Sequence, residues 1–164
     1  MSRLTVKLLW LSIWFFSVVP VAQASDRAQD IVVACTQLVT DYAFYRDRPN
    51  ADAVANLFTA DATFNLMGQQ FVGREAIRAR VAAGEGGAVF RHLVSTINIE
   101  VSNSGESARG VTYVVVYRGS AADLPQELPE RPTIGEYHDE FRLTQEGWKI
   151  AKRAFVPVFL STQP

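Results

Sequence analysis

A few polar side chains in this sequence have the chemistry that proton transfer requires. The chain has two histidines, His92 and His138. An imidazole, with an unperturbed pKa of about 6.5, can act as both base and acid near neutral pH. Tyr42 and Asp47 lie close together in the sequence. A phenol can donate a hydrogen bond to a carbonyl oxygen, and a carboxylate can orient or charge-balance an imidazole.

Each of these residues also has a structural interpretation. His92 can be a histidine that hydrogen-bonds inside a sheet, and Tyr42 can be a core aromatic at helical spacing. Asp47 stands between Arg46 and Arg48 and can be a solvated charge near a helix end. The residue types alone therefore leave both interpretations open.

Composition and motifs exclude several other kinds of site. His138, Asp139 and Glu140 are consecutive, so on a strand they cannot all point at one ion, and one cysteine makes no zinc cluster. No Gly-rich phosphate loop, dinucleotide fingerprint or nucleophile elbow occurs. A net charge of −1 without a run of Lys and Arg gives no footprint for nucleic acid. We expect no metal, no cofactor and no nucleic-acid partner.

The elements that must position these residues follow from the hydrophobic period. Apolar residues recur at spacings of three and four from Ile31 to Tyr45, which predicts a helix with Cys35 on its apolar face. Residues 52–58 and 74–82 predict two more helices, the last closed by Gly84 in a left-handed conformation. Short strands are expected at 62–66 and 70–72, and longer ones at 91–101, 110–118, 134–143 and 148–156. Turn signals stand at 103–105 and 145–147. Helices followed by antiparallel strands predict an α+β domain with a pocket between sheet and helices.

The N-terminus predicts a cleavable export signal. Arg3 and Lys7 precede an apolar run at 8–19 that is too short to cross a membrane, and Ala22 and Ala24 form a small-x-small cleavage pattern. We predict a signal at 1–24 and one domain at 25–164 that is periplasmic or secreted, without a membrane anchor. A lipoprotein-like box ending at Cys35 lies too far behind the apolar run and is not favoured.

Several segments resemble the SnoaL-like branch of the nuclear transport factor 2-like superfamily. They are residues 57–64, 71–77, 91–95, 135–141 and 147–150, within a likeness that covers 31–159. The resemblance implies a cone-shaped, strongly bent and mostly antiparallel sheet, closed by about three N-terminal helices around a pocket. It also implies a small apolar ligand or substrate and a homodimer through the outer sheet face.

The scytalone dehydratase and bile-acid dehydratase members give these residues roles. By resemblance, His92 is the base that takes a proton next to a carbonyl, and Tyr42 is the carbonyl donor. Asp47 or Asp139 orients the histidine. The implied activity is a cofactor-free dehydratase or isomerase. Resemblance also favours the pocket side for Tyr137, Asp139 and Phe141, which share one face of their strand.

The sequence departs from the dehydratases on the strand at 110–118. It has no acid and no histidine there, and only Thr112, Tyr113 or Tyr117 can turn a polar group inward. Tyr113, Tyr117 and Trp148 are expected as apolar lining or core. The missing second acid–base residue favours the alternative function, a non-catalytic periplasmic domain for ligand binding or protein assembly.

Overall fold

The fold runs from helices into a six-stranded sheet. The structure is a computed structural model that describes residues 21–48, 50–84, 87–120, 124–127 and 131–160. Its helices are α1 (Val21–Asp47), α2 (Ala51–Asn56) and α3 (Arg74–Ala82). Its strands are β1 (Phe58–Leu66), β2 (Gln69–Val72), β3 (Ala88–Val101), β4 (Ser107–Ser120), β5 (Thr133–Thr144) and β6 (Gly147–Phe159). The expected α+β architecture is confirmed. The helix predicted at 52–58 ends at Asn56, and β1 begins at Phe58 and not at residue 62.

The predicted export signal lies almost wholly outside the described residues. Helix α1 begins at Val21, so its first turn overlaps the predicted cleavage pattern at Ala22 and Ala24. Cleavage and location therefore stay predictions. None of the described helices has the length and apolar character needed to cross a membrane.

The sheet has the order β2-β1-β6-β5-β4-β3. Its pairs are antiparallel except that β1 runs parallel to β6, which makes the sheet mixed. Thr96, with φ of 46°, sits at a register shift in β3, and further shifts occur between β5 and β6. Such bulges bend strands and increase local twist, which is how this sheet curls toward the helices.

Helix α1 packs its apolar face against the inner face of the sheet, chiefly on β3. Ile31, Cys35, Leu38 and Tyr42 from the predicted helical face are all buried, together with Val39. The core continues into aromatic and aliphatic residues of the strands, among them Phe58, Phe64, Val114, Phe141 and Ile150. The spacing of apolar residues in the sequence therefore identified the face of α1 that packs on the core.

Helix α3 ends differently from the prediction. Ala83 closes it in a right-handed conformation, and Gly84 has no positive φ, so the left-handed assignment for Gly84 is wrong. The Gly84 amide instead donates to the Val81 carbonyl, which tightens the last turn. A Cβ on Gly84 would lie 3.1 Å from Nη2 of Arg46. The glycine is thus explained by close approach of a side chain, not by its own backbone conformation.

The two faces of β5 separate as expected. Tyr137, Asp139 and Phe141 are buried, whereas His138 and Glu140 are exposed on the opposite face. On β4 the expectation was wrong for Tyr113, and Tyr117, which is half-buried, lies on the same outer face and outside the core. Tyr113 is 48% exposed on the outer face, because the alternation that buries Thr112 and Val114 turns it outward.

The sole cysteine gives a test of the α1 packing. Cys35 is fully buried, and burial, with a smaller contribution from the charge of Asp139, raises the pKa of its thiol to about 12. Because the thiolate is the reactive form, we expect no reaction with Ellman's reagent in the native protein at about pH 8 and one equivalent after denaturation. Stoichiometric reaction within seconds, without unfolding, would contradict this packing.

Candidate active site

A cavity of about 510 Å³ lies between the helices and the inner face of the sheet. We call it the inner pocket. Its wall includes Tyr42 and Arg46 from α1, Phe90 and His92 from β3, and Tyr137 from β5. Two of the predicted site residues, Tyr42 and His92, therefore face the same cavity.

His92 and Asp47 form a close pair at the wall of this pocket. Nδ1 of His92 lies 2.6 Å from Oδ1 of Asp47, and both side chains are at least nine-tenths buried. The other carboxylate oxygen, Oδ2, accepts the backbone N–H of His92 at 2.9 Å. An ionised carboxylate only accepts hydrogen bonds, so beside an ionised Asp47 the proton of this hydrogen bond is on Nδ1 of His92. Asp47 thereby holds both the ring and the backbone of His92.

The local fold explains how two residues so far apart in sequence meet. Asp47 is the last residue of α1, and His92 lies on β3, the edge strand over which α1 packs. The edge of β3 leaves the His92 amide without a neighbouring strand, so a side chain can take it. The interpretation of Asp47 as a purely solvated charge is wrong.

Tyr42 and Tyr137 form the inner end of the pocket. Their ring centroids are 5.5 Å apart in an edge-to-face arrangement, and both residues are buried. Burial raises the pKa of Tyr42, an effect that the nearby Arg153 and Arg46 oppose. Burial and the neighbouring Tyr42 raise the pKa of Tyr137 well above its ordinary value. Both phenols are therefore neutral hydrogen-bond donors rather than anions.

Below these rings lies a buried ion pair. Nε and Nη2 of Arg153 each donate to one oxygen of Asp139 at 2.7 Å, and neither side chain is exposed. The guanidinium carbon stands 4.2 Å from the ring centre of Tyr42 and 4.3 Å from that of Tyr137. Burial disfavours the charged guanidinium, but the charge and hydrogen bonds of Asp139 outweigh it and raise the pKa of Arg153.

Asp139 consequently has a different partner from the expected one. Both of its oxygens are taken by Arg153, so the expectation that Asp139 orients His92 gives way to Asp47. The physical reason is the register of β5 on β6, which places Arg153 directly opposite Asp139. A direct catalytic role for Asp139 stays a prediction that this geometry does not favour.

Other polar candidates lie away from His92. His138 pairs with Glu136 on the outer face, with Nε2 and Oε2 2.7 Å apart. The buried Oγ1 of Thr112 has no hydrogen-bond partner among the described residues, and its neighbours on the inner face of β4 are Gly110 and Val114. Within the described ranges, no three His, Cys, Asp or Glu side chains come together as a metal site.

Sequence reasoning missed three residues of the site, namely Arg46, Tyr137 as a partner of Tyr42, and Arg153. Arg46 is only 8% exposed, and its guanidinium carbon lies 4.2 Å from the Phe90 ring centre. One signal could have found it. Arg46 follows Tyr42 by one helical turn and so falls on the same buried face of α1.

The fold and the histidine-lined pocket define an α+β protein of the nuclear transport factor 2-like, cystatin-like type. The chain belongs to the SnoaL-like domain family, which matches residues 27–154. A comparison with curated protein sequences finds no match.

Solved structures share the fold at low identity. Rv3472 of Mycobacterium tuberculosis, a protein of unknown function, is 25% identical with a TM-score of 0.72, over 83% of this chain and 76% of its own. A proposed scytalone dehydratase from Novosphingobium aromaticivorans is 19% identical with a TM-score of 0.72, over 85% and 93%. An NTF2-like protein with a cystatin-like fold from the same organism is 19% identical with a TM-score of 0.68, over 90% and 94%. The last two similarities establish the fold alone, so the chemistry must be argued from the residues of the site.

The buried ion pair gives a stability prediction. Asp139→Asn leaves the Arg153 cation uncompensated in the core, so we expect a loss of about 3–5 kcal/mol in the free energy of unfolding. The matched control is Glu140→Gln on the next residue, which breaks a half-exposed pair with Lys152. That control should cost no more than about 1 kcal/mol. Urea denaturation measures both, and equal losses would contradict the role given to the buried pair.

Proposed function

We propose that this protein is a cofactor-free lyase or isomerase that moves a proton next to a carbonyl group. The observation that carries the proposal is the contact of His92 with Asp47 at 2.6 Å on the wall of an open pocket with aromatic side chains in its lining. A carboxylate, an imidazole and an open cavity in this order form the arrangement that general base catalysis uses.

In the proposed reaction Asp47 acts through His92. It keeps the proton on Nδ1, which leaves the lone pair of Nε2 free to take a proton from the carbon beside the carbonyl. The electrons of the broken C–H bond form an enolate. In a dehydration, Nε2–H then gives its proton to the leaving hydroxyl, which departs as water. In an isomerisation, the same proton returns to another carbon. Asp47 stabilises the imidazolium between the two steps.

Tyr42 and Tyr137 supply the other half of the reaction. The phenol of Tyr42 lies at the inner end of the pocket, and its ring is in edge contact with His92, with centroids 6.2 Å apart. Tyr42 donates a hydrogen bond to the carbonyl oxygen and stabilises the enolate. The positive charge of Arg153 behind both rings favours this donation, because it opposes the rise in the pKa of Tyr42 and Tyr137.

A second candidate function is ligand binding or protein assembly without catalysis. One observation favours it: the inner face of β4 offers Thr112, Val114 and Val116 but no second acid or base. Exposed Leu93, Tyr113 and Val156 on the outer face support a homodimer in either case.

The catalytic proposal predicts the effect of His92→Gln. With a panel of β-hydroxy ketones, followed by the absorbance of the conjugated enone that dehydration forms, we expect kcat to fall about 10²–10⁴-fold. His138→Gln is the matched control and should retain full activity, because His138 lies on the outer face beside Glu136.

A variant of Asp47 tests its role in orienting His92 separately from the role of His92 as the base. In Asp47→Asn the amide can donate to Nδ1 and move the proton to Nε2, so kcat should fall and imidazole ¹⁵N NMR should report the changed tautomer. Activity that persists in His92→Gln contradicts the catalytic assignment. If the wild-type protein binds a ligand but converts none of the ketones in the panel, the result favours ligand binding or protein assembly without catalysis.

We also propose that the protein is exported and cleaved after Ala24, which places it in the periplasm or outside the cell. Expressed at full length in a bacterial host, the mature chain should begin at Ser25 by intact mass. Ala24→Leu removes the small residue of the cleavage pattern and should block processing, whereas Ala28→Leu in α1 should not. A mature protein that keeps residues 1–24 contradicts this proposal.

A further inference from the structure

Three arginines surround one end of the inner pocket. Arg46 comes from the end of α1, Arg80 from α3 and Arg118 from β4, and all three contribute to the wall of the cavity. The pocket wall contains no acidic side chain among the described residues. Asp47, the nearest acid in sequence, is taken by His92. This end of the pocket is therefore strongly positive.

Arg46 is the most constrained of the three. It is more than nine-tenths buried, and its Nη1 atom is inaccessible and has no hydrogen-bond partner in the described part of the chain. Its contact with Phe90 is a cation–π interaction at 4.2 Å, which does not satisfy the N–H groups in the guanidinium plane. A buried cation with an unpaired donor is costly unless an anion completes it.

Arg80 approaches Arg46, and Arg118 approaches the aromatic ring that Arg46 contacts. The point where a Cβ on Gly84 would stand lies 3.1 Å from Nη2 of Arg46 and 3.4 Å from Nη1 of Arg80. The guanidinium carbon of Arg118 lies 5.9 Å from the Phe90 ring centre, so Arg46 and Arg118 approach the same ring. Like charges repel, and one oxyanion between them removes that repulsion.

A line of aromatic contacts leads from these arginines to the inner end of the pocket. The Phe90 and His92 ring centroids are 6.2 Å apart, and those of His92 and Tyr42 are also 6.2 Å apart. Tyr42 continues to Tyr137, and Tyr137 to Phe155 at 5.7 Å. A ligand along this line would have its charged end at Arg46, its middle at His92 and its far end among apolar rings.

We propose that the inner pocket binds an amphipathic organic acid, with its carboxylate held by Arg46, Arg80 and Arg118 and its apolar body along the aromatic line. This revises the expected apolar ligand. The proposal rests on the proposed function only in treating this acid as the substrate, because the binding itself requires no catalysis. An inorganic anion would satisfy the arginines but would leave the apolar part of the pocket unfilled.

The test uses two fluorescent probes that differ by one anionic group. 1-Anilinonaphthalene-8-sulfonate carries a sulfonate, and N-phenyl-1-naphthylamine is the same skeleton without it. We expect the anionic probe to bind wild type about tenfold more tightly or better. 1-Naphthaleneacetate should displace it, whereas the neutral 1-naphthaleneacetamide and millimolar inorganic phosphate should not.

Arginine variants test which side chains bind the anionic group. Arg46→Gln should weaken the anionic probe about tenfold and change the neutral probe less than about twofold. Arg118→Gln, at an exposed position where folding is not at risk, should act in the same direction. The control is Arg109→Gln, which removes the same charge from the depression on the outer face of the sheet and should change neither affinity.

The outcomes separate the two proposals. Equal affinities for the two probes, equal loss of both in Arg46→Gln, or loss in Arg109→Gln would overturn the anion site. His92→Gln should keep the wild-type preference for the anionic over the neutral probe, because the arginines that hold the anion are unchanged. Anion binding without lyase or isomerase activity leaves this inference in place and removes the proposed function. Activity on neutral ketones that Arg46→Gln does not alter would support the proposed function and overturn the inference that the substrate is an organic acid.

Discussion

The inner pocket depends on the pairing of Arg153 with Asp139 inside the core. An arginine with no exposed surface could not stay there alone, because desolvation of a charge costs several kcal/mol. Asp139 compensates the charge with two hydrogen bonds, and the flat guanidinium then lies against Tyr42 and Tyr137. The ion pair thus sets the position of the two phenols, and with them the inner end of the cavity.

The two aspartates that sequence left open as partners of His92 have separate tasks. Asp139 neutralises a cation beneath the pocket, and Asp47 holds the imidazole at its wall. These tasks need different surroundings. Asp139 is enclosed among buried aromatic residues, whereas Asp47 ends a helix and meets the free edge of β3.

The sequence predicted the elements well because their signals are local. The apolar face of α1, the boundaries of α3 and the alternation of β5 follow from periodicity. The orienter of His92 was not decided, because it depends on pairing across the fold. The turn at 145–147 pairs Thr144 with Gly147, and an unbroken hairpin would then place Lys152 opposite Asp139. A register shift between Glu140 and Phe141 places Arg153 there instead. One bulge therefore decides which cation enters the core, and no local pattern predicts it. The parallel pairing of β1 with β6 is likewise long-range.

Asp47 also bears on the solubility of the molecule. β3 is an edge strand, and open strand edges recruit other strands and lead to aggregation. By accepting the His92 amide, the Asp47 carboxylate occupies one of the donors that an incoming strand would use. The side chain that contacts the imidazole therefore also blocks part of the open edge of β3. A substitution of Asp47 that changes the activity would also expose the His92 amide at the edge of β3. Evolution of the pocket is therefore linked to resistance against edge-to-edge aggregation.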